Sequence, residues 1–124
     1  MTYETINPST EELVRTFRRH TDVELEAMIA KAEDTFQNDW SQRPLAERKA
    51  IVNKAASILR RNRDGFAKLV TLEIGKLFRE AQAEVDLSAD ILDYYADHAS
   101  TFLAPQTLKV TEGQAIVESA PLGV

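Results

Sequence analysis

The sequence predicts a mainly α chain with a β-hairpin near each end, an α+β arrangement in which four helices fill the middle. Apolar residues recur three and four apart between residues 22 and 104, as the buried stripe of a helix requires. Short β-prone runs flank two turn clusters instead, Asn7-Pro8-Ser9-Thr10 and Glu112-Gly113. No internal repeat, low-complexity stretch or linker divides the chain, so a single domain unit over 1–124 is expected.

The first hairpin, within residues 1–18, places strands near 3–6 and 12–17, with Pro8 fixing φ in the turn and Asn7 or Ser9 able to bond local backbone. Thr21 followed by Glu24 forms a capping box, which starts a helix over about 22–37 with Leu25, Ile29, Ala32 and Phe36 on one face. Trp40 falls just past its end. Pro44 suits a first helical position, and Leu45, Val52, Ala55, Ala56 and Leu59 supply the apolar face of a second helix. Asn62-Arg63-Asp64-Gly65 interrupts that pattern and offers a new cap. A short third helix follows with Phe66, Leu69, Val70 and Ile74, closed by Gly75. The longest periodic run, Ala81, Val85, Ser88, Leu92, Tyr95, Ala99 and Phe102, predicts a long fourth helix that stops before Pro105. A second hairpin is expected over 107–119, and residues 120–124 read as a strand cut short, because Val117, Leu122 and Val124 are residues that favour a partner strand.

Composition narrows the function classes. Fifteen basic against twenty acidic residues give a formal charge of −5, so the basic footprint that nucleic acid or anionic membranes select is not expected. No cysteine is present, which removes disulfides, thiolate metal sites and a thiol nucleophile from these residues. The first ten residues have neither a basic nor an apolar leader segment, and no run reaches the eighteen or so apolar residues of a membrane span; a cytoplasmic location is the default.

Among the charged patterns, Asp86, Asp90, Asp93 and Asp97 share one side of the long helix. Oxygen ligation of a divalent cation or acid–base work would need such carboxylates to converge, and a rigid helix holds them apart, so a solvated face is the better reading. Arg60, Arg61 and Arg63 are placed to compensate that charge from a facing helix. His20 and His98 have no partner at a metal-ligand spacing. Arg15, Arg18 and Arg19 read as charge protecting an exposed strand edge. Residue chemistry alone therefore yields an acidic helical domain with no catalytic set.

Several stretches, in order, resemble the start of the aldehyde dehydrogenase superfamily: "INPSTEE", "AEDTFQNDW", "PLAERKAIVNKAASILRRNRD", "TLEIGKLFREAQAEV", "YYADHASTFL" and the final "APLGV". The fourth and fifth look most like the branch of bacterial succinate-semialdehyde dehydrogenases. Leu77 departs from the pattern, since the family commonly has Pro after Gly-Lys; this bears on the turn into the long helix more than on chemistry. The resemblance implies the N-terminal part of the aldehyde dehydrogenase fold, without its Rossmann-like sheet or catalytic domain. It also implies that an active-site cysteine attacks the aldehyde, hydride passes to NAD or NADP, and a glutamate activates water, with backbone and asparagine donors steadying the oxyanion. Those groups fall downstream of the matched stretches, so no catalytic or cofactor-binding residue and no cofactor is expected for these 124 residues alone.

What the resemblance assigns to this region is scaffold. Leu87 is expected to border the substrate tunnel, and Ile6 and Glu73 to form part of a monovalent cation site. The hairpin over 107–119 is expected to belong to a sheet used in oligomer contacts. By itself the chain is expected to be inactive and to self-associate or domain-swap through exposed helix faces and hairpins. The alternative is a natural truncated relative that works as a helical protein-interaction module.

Overall fold

A computed structural model describes residues 2–121 and Gly123. Two antiparallel hairpins, β1(Tyr3–Ile6) with β2(Leu13–Phe17) and β3(Gln106–Leu108) with β4(Ala115–Val117), flank four helices: α1(Asp22–Asn38), α2(Leu45–Arg61), α3(Arg63–Ile74) and α4(Phe78–Phe102). The fold class is thus the predicted one, mostly helical with two small hairpins. Ala120, Pro121 and Gly123 have no regular secondary structure; the expected cut strand also involves Leu122 and Val124, which lie outside the described residues.

Local chemistry explains most boundaries. In the first hairpin Tyr3 pairs with Phe17 and Ile6 with Leu13, and a register shift after Thr5 accommodates the extra residue Val14 as a bulge. Asn7 Oδ1 accepts from the Ser9 N–H at 2.9 Å, closing the turn. Thr21 and Glu24 form the full capping box at the start of α1. Trp40 opens a single 3-10 turn, Trp40–Gln42, that the apolar spacing did not reveal. Pro44 is the N-cap of α2, one position earlier than its φ preference suggested. Asn62 does not cap α3 with its side chain. Its Nδ2 instead donates to the Ile58 carbonyl at 3.0 Å, so it closes α2. Gly75 ends α3 with φ +77, the left-handed region that glycine enters without a Cβ penalty.

The core is built from small residues. Ala56 of α2, Ala67 of α3, and Ala81, Val85, Ala89 and Ala96 of α4 are the buried apolar residues, and α4 packs along both α2 and α3. This corrects the predicted stripe of α4: Ser88 and Tyr95 are exposed, while Ala89 and Ala96 face inward. Alanine lets helix backbones approach closely, so the packed face follows the alanines rather than the larger aromatics. Ala55 is likewise exposed on α2, and Ile74 on α3 is 72% exposed. Helix α1 buries no residue and packs chiefly on the 3-10 turn.

The surface is correspondingly large. A compact protein of 13.9 kDa exposes about 6,700 Å² and buries roughly two thirds of its unfolded surface. This chain exposes 9954 Å², and so buries only about half. The excess lies on apolar side chains such as Leu25, Ile29, Leu69, Ile74, Leu87 and Tyr95. Among the described residues no helix is long and apolar enough to cross a membrane.

Candidate functional site

Leu87 projects from the middle of α4 on the side away from the alanine stripe and is 58% exposed. It shares an open groove of about 490 Å³ with Lys76, Glu80, Ala83 and Glu84. The spacing 80, 83, 84, 87 is one helix face, and Lys76 reaches it from the preceding turn to pair with Glu84. The groove therefore presents an apolar floor with a charged end. Its one ion pair, Lys76 with Glu84, closes the charged end and leaves Ala83 and Leu87 to supply contact and shape.

Ile6 and Glu73 sit on segments that the fold brings together. Pro8, two residues beyond Ile6, lies against Gly75, two residues beyond Glu73. Both Ile6 and Glu73 are exposed. A carbonyl and one carboxylate supply too few oxygens to hold a cation. Among the described residues no group of three or more His, Cys, Asp or Glu is arranged for a metal ion.

Three carboxylates of the α4 row, Asp86, Asp90 and Asp93, are met by arginines of α2 and α3. Arg60 forks onto two carboxylates, with Nη2 2.7 Å from Asp90 Oδ1 and Nη1 paired to Asp93 Oδ2. Hydrogen bonds to Asp90 and then Asp93 hold the Arg60 guanidinium further above its already high pKa. Arg63 Nε lies 2.9 Å from Asp86 Oδ2 but forms no aligned hydrogen bond, so that contact is an ion pair by proximity. Arg61 forms no ion pair among the described residues. Two of the three predicted arginines thus compensate the row, and the four carboxylates do not converge on one point.

The other singled-out residues are structural. Arg18 clasps Glu24 through two hydrogen bonds of 3.0 and 2.6 Å. Together with the Thr21 backbone N–H, this lowers the Glu24 pKa from 4.5 to about 2. Arg15 covers the Phe17 ring at 5.1 Å, and His20 lies 3.7 Å from Glu24. His98 stacks on Tyr94 at 4.2 Å, its Nδ1 2.8 Å from the Tyr94 carbonyl oxygen. Trp40 lines an open apolar groove of about 710 Å³ with Met28, Ala32, Phe36 and Pro121, a feature the sequence patterns did not single out. The four glycines, at 65, 75, 113 and 123, are isolated from one another, so these residues do not fit the glycine-rich phosphate cradle of a dinucleotide.

Comparison with known proteins gives this scaffold a family. The Aldehyde dehydrogenase family profile matches residues 1–124, and the chain belongs to that family. Among curated relatives, the Succinate-semialdehyde dehydrogenase [NADP(+)] of Deinococcus radiodurans is 45% identical over 122 residues, which is 98% of this chain and 25% of that protein. A solved structure of succinic semialdehyde dehydrogenase from Streptococcus pyogenes, in complex with NADP+, superposes with a TM-score of 0.87 at 46% identity. It covers 92% of this chain and 25% of its own. The structure of Gox0499, studied for cofactor and substrate selection, superposes with a TM-score of 0.95 at 43% identity, covering 98% of this chain and 27% of its own. The chain therefore spans about a quarter of the length of the relatives it matches.

Proposed function

We propose that these residues form the helical scaffold of an NADP-dependent aldehyde dehydrogenase that oxidises succinate semialdehyde, and that they contribute shape to its substrate passage but no reacting group. The observation that carries this reading is the 45% identity to the Deinococcus radiodurans enzyme across 98% of the chain, alongside a sequence with no cysteine. Thioester-forming oxidation of an aldehyde needs a thiolate to attack the carbonyl carbon, a nicotinamide to accept hydride, and a base to deliver water. A chain with no thiol cannot make the first bond. Leu87 fits the tunnel border, since its groove has an apolar floor, is open and lies on the helix face that the bundle leaves uncovered. Ile6 and Glu73 would be two ligands of a monovalent cation site completed by other residues. The exposed apolar area supports a role as cover for a larger body.

The test is a chimera in which this sequence replaces the matching quarter of the Deinococcus radiodurans enzyme. The chimera should fold and reduce NADP+ with succinate semialdehyde at a rate within about tenfold of the parent. A folded chimera that oxidises other aldehydes and not succinate semialdehyde would contradict the substrate assignment.

A further inference from the structure

We propose that Ser119, Ala120 and Pro121 form a strap that seats α1 on the helix bundle, so that α1 lifts off when the strap lets go while α2, α3 and α4 stay packed. The four helices are not held alike. Buried alanines join α2, α3 and α4, whereas α1 buries no residue. The turn at Trp40–Gln42 ties the C-terminal end of α1 to α2, but that connection does not decide what covers the side of the helix.

Coverage of α1 is local. Beyond its capping residue Glu24, Ala32 and Phe36 are its half-buried positions, while Leu25, Met28 and Ile29 nearer its start are exposed. Ala32 and Phe36 line the apolar groove of about 710 Å³ that Trp40, Pro121 and Gly123 also border. Gly123 approaches the same helix, since a Cβ there would stand 3.8 Å from Glu33 Oε2. On its other side Pro121 lines, with Ser119 and Ala120, a second groove against Leu45 and Arg48 of α2 and Leu103 at the end of α4. One short segment thus borders α1 and the α2–α4 pair together, and α1 is covered where that segment passes. The sequence prepares it for this span. Proline fixes its own φ and drives the preceding Ala120 toward extended backbone, so little further ordering is needed. Ser119, Ala120 and Pro121 make no backbone hydrogen bond among the described residues, so the strap holds by side-chain contact. A helix seated only by such contacts opens more readily than one inside the alanine core.

Trp40 is the single tryptophan, so its fluorescence reports on the seat. Acrylamide quenching and amide hydrogen exchange of the full chain test the proposal with Pro121→Gly, which removes both the ring and the stiffness. Quenching of Trp40 should rise about twofold and α1 amides should exchange about tenfold faster, with α2, α3 and α4 unchanged. Wild-type quenching and α1 exchange in Pro121→Gly would overturn the proposal, as would equal acceleration in all four helices. Should Pro121→Gly fail to fold, Phe36→Ala approaches the seat from α1: it should shift the 1H–15N cross-peaks of Ala120 and Gly123 and speed exchange in α1 alone. Unmoved cross-peaks, or α1 exchange no faster than wild type, would overturn it.

Discussion

Pro8 lies so close to Gly75 that a Cβ added at residue 75 would come within 3.0 Å of the proline Cγ. This contact joins the turn of the first hairpin to the end of α3, and it occurs where Gly75 holds φ +77. Gly75→Ala therefore meets two penalties, a left-handed backbone and a crowded neighbour. The loss expected is about 1–2 kcal/mol from the backbone alone, read as a lowered urea midpoint with an unchanged slope.

Acid should weaken the start of α1. Glu24, held by Arg18 and the Thr21 backbone, has its carboxyl lowered from 4.5 to about 2, so the folded state favours the ionised form. Its stabilising contribution is complete above pH 4.5 and is lost as pH falls toward 2. Helical circular dichroism between those values should fall in the wild type, and Glu24→Gln should flatten that part of the curve. Thr21→Ala removes the hydroxyl side of the same box and should cost about 1 kcal/mol at neutral pH.

Leu77 has a backbone suited to the proline expected after Gly75-Lys76 from the resemblance. Its φ is −58, within the range a proline ring imposes, and it stands at the N-cap of α4. Its N–H forms no hydrogen bond among the described residues, so proline removes none of those contacts. Leu77→Pro should raise stability by about 0.4–1 kcal/mol through a less flexible unfolded chain, measurable as a higher Tm. A lowered Tm would show that the preceding residue resists the extended backbone proline demands.

The uncovered apolar faces predict association. Exposing 9954 Å² where a compact chain of this mass exposes about 6,700 Å² leaves more surface than a standard interface buries on one partner, about 800 Å². Light scattering should report a mass that rises with concentration. A constant monomer mass together with a sharp cooperative melt would contradict this and favour a self-sufficient interaction module.

Much of the architecture was legible because its signals are local. The Thr21–Glu24 box, Gly75 and the turn at Asn7 each act through backbone chemistry within a few residues, and each appears where that chemistry placed it. The stripe of α4 was misread at Ser88 and Tyr95 because alanine carries little weight in an apolar pattern, although here it permits the closest packing. Asn62 was ambiguous for a related reason: its amide can serve the helix before it or the one after it, and only tertiary geometry chose Ile58. The pairing of Arg60 with Asp90 and Asp93 depends on helix register, which no local pattern encodes. The functional reading rested on resemblance throughout, since Leu87, Ile6 and Glu73 have no chemistry of their own that would single them out.

The central claim is that this chain is scaffold without a reacting group. The most direct measurement is NADPH absorbance at 340 nm with the purified 124-residue chain, succinate semialdehyde and NADP+. The account predicts no formation above the enzyme-free blank. Sustained, protein-dependent turnover that scales with chain concentration would contradict it.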